Sequence, residues 1–314
     1  MAPTFLIIGA TGNTGRGVVE TLPKLLKDSK FSGHRILCQT RSAKSPTAQG
    51  FAQLPGVELV EINWVYIDAE WLRAQEVVRV FIASHNEPKH FDQETNFHFE
   101  ALNAGVEYVV RISTTAANVR PACPAYYPRS HWAVEQVLGS SDFSKLQWTS
   151  LQPNVFSSYI LSPAAEFIKK YRKTGEQGTL GTMLSEHGPT AIIEAREVGI
   201  FASHLLVQAD VSAHNKAKYV LNGPEDIDGS QIVKMVEEYI GAQVKDVRFK
   251  DMSFIQGLVD QAPEDIKPLI ESIKHAPETS WAGLTTASTT SKEVLDIAAP
   301  RITPAESLKM LLGE

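Results

Sequence analysis

The sequence predicts an α/β fold: a doubly wound, mostly parallel β-sheet with helices on both faces, followed by a smaller α/β region. Two observations predict it. The chain opens with a short apolar run that leads through a glycine-rich turn into a helical pattern, and later apolar runs alternate with helical segments. The composition agrees, since 43% of the 314 residues are hydrophobic and 21% are charged, as in a folded globular protein.

The first half of the chain reads as strands and helices in alternation. Residues 4–8 form a largely apolar run typical of a strand buried on both faces of a parallel sheet. Further strands are predicted at residues 35–39, 57–62, 77–83 and 108–112. Helices are predicted at residues 16–26, 71–75 and 91–104. In sheets of this kind, ligands bind at the carboxyl ends of the strands.

Three glycines follow the first strand and open the first helix. Gly9 permits a tight turn, Gly12 lets the backbone approach a pyrophosphate, and Gly15 allows the helix to pack closely on the strand. The free N–H groups at the start of the helix attract phosphate. These observations predict a dinucleotide site of the Rossmann type, which also includes the intervening residues Thr11, Asn13 and Thr14.

A second glycine segment shows that the spacing alone is weak. Gly175, Gly178 and Gly181 are also three residues apart, but they follow the lysine-rich residues 169–173 and not an apolar strand. We predict that this segment is a loop.

The residues after the second predicted strand favour NADP(H) over NAD(H). An NAD site places an acidic residue near this point to bind the ribose 2′-hydroxyl, and residues 39–44 contain none. Arg41 and Ser42, with Lys44 nearby, have the chemistry to bind a 2′-phosphate. The alternative is a solvated basic turn.

The order of these segments resembles the NmrA-like family of atypical short-chain dehydrogenases/reductases, including its triphenylmethane reductase-like members. The segments that carry the resemblance are residues 9–15, Arg41, and residues 112–115, 131–135, 151–156, 193–199 and 219–225. On this resemblance the other candidates for cofactor binding are Asn63, Ser84, Pro153 and Asn154. Two positions depart from the family pattern: Gln152 replaces an arginine, and Asn63 replaces an acidic residue.

The same resemblance implies a modified catalytic motif. Short-chain reductases pair a tyrosine acid with a lysine four residues later, while a serine holds the substrate carbonyl. In extended members of that superfamily a glutamate commonly lies four residues beyond the lysine. If Glu135 is that glutamate, His131 stands at the lysine position and Tyr127 at the tyrosine position. Ser113 lies 14 residues before Tyr127, near the spacing of the superfamily. His131 is expected to face the cofactor as well. Because a histidine is often uncharged near neutral pH, it gives Tyr127 little electrostatic help, and the pKa of the phenol is expected to stay near its unperturbed value of about 10. The alternatives are that Tyr127 lies in a loop covering the pocket, that Ser113 satisfies a strand end, and that the acceptor takes its proton from water.

The chain is predicted to divide into a dinucleotide-binding domain at residues 1–155 and a mainly substrate-binding domain at residues 156–314, with elements returning to the first sheet. The tail is predicted to be helical at residues 231–239, 254–261, 265–274 and 305–312. Candidates for an apolar pocket, with ordinary core as the alternative, are Phe156, Tyr159, Met252, Phe254 and Trp281.

Charge and composition argue against several classes of protein. The net charge is −6 with no basic cluster, which disfavours nucleic-acid binding. No segment has the length of a membrane span or the pattern of a signal peptide. The two cysteines predict no disulfide framework and favour a cytoplasmic setting. No metal is expected, because the histidines at 85, 90 and 98 and the nearby acids lack convincing ligand spacing.

These patterns predict an NADPH-dependent oxidoreductase that reduces a small apolar or aromatic carbonyl, enone, imine or quinone. The partner is then a small-molecule substrate, and the chain is a monomer or a homodimer. Two alternatives remain open. One is a regulatory protein that senses NADP(H) without catalysis, and the other is a non-redox enzyme that rearranges or dehydrates its substrate on the same fold.

Overall fold

The computed structural model describes residues 2–314, which form an α/β fold around one large sheet. The strands are β1 (Thr4–Ile8), β2 (Arg35–Thr40), β3 (Val57–Glu61), β4 (Val77–Ile82), β5 (Tyr108–Ile112), β6 (Gln147–Pro153), β7 (Leu180–Gly181), β8 (Ala217–Leu221) and β9 (Val247–Arg248). Seven of them form a parallel sheet in the order β3-β2-β1-β4-β5-β6-β8. The order reverses between β1 and β4, which is where ligands bind in doubly wound sheets.

Helices cover both faces of this sheet and build the remainder of the chain. They are α1 (Asn13–Lys27), α2 (Pro46–Phe51), α3 (Ala69–Ala74), α4 (His90–Ala104), α5 (Tyr127–Gly139), α6 (Ser157–Thr174), α7 (Ala195–Leu206), α8 (Gly229–Ile240), α9 (Phe254–Gln261), α10 (Lys267–Ser272), α11 (Glu278–Trp281), α12 (Lys292–Ala298) and α13 (Pro304–Leu312). Across residues 2–314, no helix combines the length and apolar character that a membrane span requires.

The predicted fold class is confirmed, and each of the five predicted strands is present with bounds within one residue. The helix predicted from residue 265 to 274 is shorter, because α10 is followed by a separate 3-10 turn at Ile273–His275. The second glycine segment is not wholly a loop, as had been predicted. Gly175 ends α6 with a φ of +72°, whereas Gly181 lies in β7, which pairs with β9.

Alternate residues of β1 point to opposite faces of the sheet. Phe5 and Ile7 pack in one apolar cluster with α1 and α7, and Leu6 and Ile8 pack in a second with α3, α4 and α5. All four side chains are fully buried. This burial on both faces explains why the strand reads as a continuous apolar run.

Two glycines let α1 and α7 cross in direct backbone contact. A Cβ on Gly199 would lie 2.2 Å from the Thr14 carbonyl oxygen, and a Cβ on Gly17 would lie 2.1 Å from the Arg196 carbonyl oxygen. No side chain fits there without moving the backbone. The crossing therefore places the first turn of α1 against a helix from the second half of the chain.

The C-terminal half both completes the sheet and forms its own cluster. β8 pairs with β6, and α7 packs in the cluster on one face of the sheet. A third apolar cluster contains residues of α6, α8 and α13. The division into domains at residues 1–155 and 156–314 stays a prediction.

Candidate active site

A cavity of about 1050 Å³ opens at the carboxyl edge of the large sheet. Its lining includes residues that end or directly follow five parallel strands, namely Gly9, Thr40, Ala83, Ser113 and Pro153. The volume is at the upper end of the roughly 300–1,000 Å³ typical of ligand pockets. It extends from the glycine turn, past the predicted catalytic residues, to an apolar region built by the second half of the chain.

The glycine turn is held in place by a buried glutamine. The Gly9 N–H donates to Gln39 Oε1 at 3.1 Å, and Gln39 Nε2 donates to the Ile62 carbonyl oxygen at 2.5 Å. Gly9 has a φ of +75°, and a Cβ on it would lie 2.8 Å from the Ala83 carbonyl oxygen. Glycine is therefore required there by both backbone conformation and space.

The first turn of α1 is free to bind an anion. Gly12 is the N-cap and offers no side chain, and within the described chain no acidic residue lies in this turn. Gly12, Thr11, Asn13 and Thr14 line the cavity. Gly15 does not line it and packs instead, since a Cβ there would lie 2.1 Å from the Gly9 carbonyl oxygen. Unpaired N–H groups at a helix N-terminus favour a phosphate in this position.

Basic side chains border this end of the cavity. Arg41 is exposed and lines it. Arg16, which sequence analysis did not single out, folds back from the first turn of α1 so that its Nε donates to the Thr11 carbonyl oxygen at 3.1 Å. Ser42 and Asn63 lie outside the lining; Asn63 instead caps the 3-10 turn that starts at Trp64.

Tyr127 and Ser113 both line the cavity. Tyr127 is the first residue of α5, so it does not lie in a loop. Burial raises the pKa of its phenol above the ordinary value, although a hydrogen bond with Thr114 opposes this shift. The sequence-based expectation of an unperturbed phenol is therefore wrong. Ser113 is 5% exposed, and its hydroxyl has no hydrogen-bond partner among the described residues.

His131 lies one turn further along α5 and is 3% exposed. Its ring packs edge-on against that of Tyr127, with 6.5 Å between the ring centroids. Burial and the neighbouring His90 and Arg111 hold the pKa of His131 well below its ordinary value, despite the opposing charge of Glu94. The imidazole is therefore neutral, so it gives Tyr127 no positive neighbour of the kind that lowers a phenol pKa.

A buried polar cluster lies beneath this part of the cavity, and sequence analysis did not find it. Ser84 lines the cavity and donates from its hydroxyl to Glu94 Oε2 at 2.7 Å. His90 and His98, each four residues from Glu94 on α4, contact the same carboxylate at 2.5 and 3.2 Å. Burial alone would raise the pKa of Glu94, but Arg111 and the hydrogen bonds from both histidines lower it well below the ordinary value.

The end of β6 joins the sheet to the second half of the chain. Asn154 is buried, and its Nδ2 donates to the carbonyl oxygens of Ala191 and Thr285 at 2.8 and 3.0 Å. It lines the cavity with Pro153. Gln152, where the family pattern has an arginine, donates from Nε2 to Glu135 Oε1 at 3.0 Å. The Gln152 amide therefore hydrogen-bonds to a buried carboxylate and does not line the cavity.

The far part of the cavity is apolar. Four of the five candidate pocket residues line it, and further lining comes from α9, α10 and the turn after α10. The apolar lining residues are Phe156, Tyr159, Met183, Met252, Phe254, Ile255, Leu258, Ile266, Leu269, Ile270 and Ile273. Trp281 is absent from the lining, and its indole N–H donates to the Met183 carbonyl oxygen at 2.8 Å.

Comparisons with known proteins agree with this fold. A family model described as the NmrA-like family matches residues 1–280. No curated protein matched the chain. Among solved structures, an NADPH-dependent quinone oxidoreductase from Escherichia coli complexed with NADPH has a TM-score of 0.72 at 21% identity, covering 98% of this chain and 99% of that one.

Two further structures have other activities. A triphenylmethane reductase from Citrobacter sp. complexed with NADP(H) has a TM-score of 0.71 at 18% identity, covering 98% of this chain and 100% of that one. NmrA, a negative transcriptional regulator in complex with NADP, has a TM-score of 0.63 at 14% identity, covering 99% and 91%. At such identities the similarity shows the shared fold.

Proposed function

The chain belongs to the NmrA-like family, and on that premise we propose that it is an NADPH-dependent oxidoreductase that reduces a small apolar or aromatic acceptor. One observation carries the proposal. A single cavity joins an uncapped helix N-terminus to an apolar chamber, and Ser113, Tyr127 and His131 line it between them. The test is acceptor-dependent oxidation of NADPH by the purified chain, with quinones, enones, imines and ketones as acceptors.

The residues present fit NADPH. Gly12 leaves a gap where a larger side chain would meet the phosphates, and the first turn of α1 offers N–H groups to them. Arg41 supplies positive charge for a 2′-phosphate. The two solved reductases with this fold carry NADPH or NADP(H), and the NmrA regulator carries NADP.

The predicted catalytic residues have separate tasks. When bound, NADPH supplies the hydride. His131 holds a ribose hydroxyl through its Nε2–H, and the unpaired Ser113 hydroxyl holds the acceptor. Tyr127 stays protonated because of its raised pKa, so it donates a hydrogen bond to the acceptor and polarises it. The proton that completes the reduction comes from Tyr127 or from water.

The chemistry of the chamber sets the class of acceptor. Its lining of aromatic and aliphatic side chains excludes water from a bound apolar molecule and provides no charged partner except Glu166 and Asp251. A flat aromatic or quinone-like molecule matches such surfaces, whereas a phosphorylated sugar leaves its charges unpaired. The proposed substrate is therefore small and apolar or aromatic.

Removing the Arg41 side chain is expected to reduce the preference for NADPH over NADH. Ligand at about 100 times its Kd stabilises a protein by roughly 2.7 kcal/mol, which raises the Tm of a chain this size by several degrees. We expect NADPH to raise the Tm of the wild type more than NADH does, and Arg41→Ala to bring the two shifts together. Arg301→Ala, at an exposed arginine outside the cavity lining, is the control. Equal shifts in the wild type would refute the 2′-phosphate assignment.

Ser113→Ala is expected to separate stability from activity. The buried hydroxyl has no partner within residues 2–314, so its removal leaves the free energy of unfolding unchanged or raises it. Turnover should fall by about 5-fold or more if the hydroxyl holds the acceptor, since one hydrogen bond contributes roughly 1 kcal/mol or more. Chemical denaturation and steady-state kinetics measure the two effects. Lower stability with unchanged turnover would show that the Ser113 hydroxyl has a structural role and does not hold the acceptor.

A regulatory role is the second candidate, because the NmrA regulator shares the fold and binds NADP. A sensor must bind the oxidised and reduced cofactor with different affinities, since a ligand with equal affinity for two states shifts nothing. Calorimetric Kd values for NADPH and NADP⁺ distinguish the two roles. A large difference together with no acceptor turnover would favour the sensor.

A further inference from the structure

The buried cluster under the cavity contains an arginine whose three nitrogens are all engaged. Arg111, on β5, is fully buried. Its Nε donates to Glu94 Oε1 at 2.6 Å, its Nη1 to Ser150 Oγ at 3.0 Å, and its Nη2 contacts His131 Nδ1 at 3.0 Å. Glu135 Oε1 lies 3.6 Å from Nη1. The guanidinium therefore has little freedom to turn away from His131.

The Arg111 contact decides which His131 nitrogen carries the proton. A guanidinium only donates hydrogen bonds, so His131 Nδ1 must accept and carries no proton. A neutral imidazole keeps one proton, which is then on Nε2. The other contact agrees with this, because Asn86 Oδ1, an acceptor on the cavity lining, lies 3.0 Å from Nε2.

We propose that Arg111 is a positioning residue that holds His131 as a neutral Nε2–H donor facing the cavity. A ligand oxygen, such as a hydroxyl, then takes the place of the Asn86 amide oxygen. Identifying that oxygen with a ribose hydroxyl rests on the proposed function, whereas the state of the imidazole does not.

Titratable or charged groups reach His131 from each element around it. Glu94 and His90 face it from α4, Arg111 from β5, and Tyr127 from its own helix. Glu135 also lies on α5, but it is engaged by Gln152 and by Lys218 Nζ at 3.1 Å. A proton on Nδ1 would point directly at the Arg111 N–H, so two donors would oppose each other in a buried site. The imidazole is therefore expected to stay neutral as the pH falls.

A divalent cation is the competing occupant of this cluster. Ligand atoms of His90, Glu94 and His131 all lie within 4.8 Å of one another. However, Arg111 already donates to Glu94 Oε1 and to His131 Nδ1, so a metal would have to sit beside a fixed positive charge. The hydrogen-bonded cluster is the arrangement that these contacts favour.

The experiment is ¹⁵N–¹H correlation NMR of the cofactor-free chain labelled at histidine, with His131 assigned by loss of its signals in His131→Gln. We expect an unprotonated Nδ1 and a protonated Nε2, unchanged from about pH 8 down to about pH 5.5, a range in which an ordinary histidine titrates. A His131 that titrates with an ordinary pKa of about 6.5, a protonated Nδ1, or a shift on addition of Zn²⁺ would overturn the proposal.

Variants separate positioning from a general loss of structure. Arg111→Lys keeps a donor and should keep the tautomer. Arg111→Met with Glu94→Gln removes the donor and neutralises the carboxylate that it pairs with most closely, while Glu135 keeps its ion pair with Lys218. This variant should give a mixture of tautomers and about tenfold weaker NADPH binding. Arg79→Met is the matched control, because Arg79 is 3% exposed but bonds to the carbonyl oxygens of Leu206 and Gln208. A change of tautomer in Arg79→Met would contradict the assignment to Arg111.

This test does not depend on turnover. A chain that reduces no acceptor but shows the expected His131 state would refute the reductase proposal alone. A chain that turns over while His131 titrates normally would refute the positioning role alone. If Arg111→Met with Glu94→Gln fails to fold, the pH titration of the wild type still decides the proposal.

Discussion

Tyr127→Phe is expected to slow NADPH-dependent turnover by about 100- to 10,000-fold, the range typical of a lost acid–base group. The phenol is the donor that polarises the acceptor, and its raised pKa keeps it protonated at neutral pH. NADPH affinity should change little, because the ring remains and only the hydroxyl is lost. Single-turnover kinetics and the Kd for NADPH measure both quantities once an acceptor is in hand.

His131→Ala provides the contrast to Tyr127→Phe. Because its Nε2–H is proposed to hold the cofactor, this variant should weaken NADPH binding and turnover together. Tyr126→Phe is the control, since Tyr126 neighbours Tyr127 but is 43% exposed and absent from the lining of the large cavity. Unchanged turnover in both Tyr127→Phe and His131→Ala would remove these two side chains from the mechanism. Hydride transfer would then require only that the cofactor and the acceptor are correctly positioned.

Gly12→Val is expected to abolish NADPH binding while the fold remains. Gly12 has a φ of −76° and a ψ of 179°, a backbone conformation that any residue adopts, so valine introduces no backbone strain. Its Cβ would lie 3.1 Å from the Gly9 carbonyl oxygen, and its methyl groups would occupy the space where the backbone must approach the phosphates. Calorimetry with NADPH measures the loss, and circular dichroism checks the fold.

The chain supplies a control with matched spacing. Gly178→Val changes the middle glycine of the segment formed by Gly175, Gly178 and Gly181, where the nearest atom to a new Cβ would be Lys170 Nζ at 3.9 Å. NADPH binding should be unaffected there. If Gly12→Val bound NADPH normally, the cofactor would have to lie elsewhere on the chain.

The strands of the first half could be predicted because the signal for each is local. The run at β1 and the glycines after it specify a buried strand, a turn and a helix within a few residues. The crossing of α1 and α7 could not be predicted, because Gly17 and Gly199 meet only once the sheet is complete. Neither local sequence indicates which other helix packs against it.

The buried cluster had a signal that sequence analysis did not use. Arg111 lies in an otherwise apolar strand, and a charged side chain buried there requires a partner. His90, Glu94 and His98 are spaced four residues apart and share one face of α4. On the sequence alone, these residues were considered only as metal ligands, and their spacing spoke against that role. The order of strands in the sheet decides which strand packs against α4. The pairing of Arg111 with Glu94 could therefore be found only from the structure.

The expected pKa of Tyr127 was wrong for a similar reason. The sequence indicates only that His131 stands where relatives have a lysine, which leaves the phenol without a positive neighbour. The sequence does not show how deeply the phenol is buried, and burial raises its pKa above the ordinary value. The first consideration depends on sequence spacing, whereas the second depends on which residues cover the ring in the folded chain.

The most direct measurement of the proposed function is deuterium transfer from NADPH dideuterated at the nicotinamide C4 to an enone, imine or ketone, in which the transferred deuterium ends on carbon and does not exchange with water. For a quinone, whose hydroquinone product exchanges the label, oxidation of NADPH is measured instead. If the chain is the reductase proposed from its joined cavity, mass spectrometry will find one deuterium in each reduced acceptor, and Tyr127→Phe will slow its appearance. If NADPH binds but no enone, imine or ketone takes up the label and no quinone oxidises NADPH, the reductase function is contradicted.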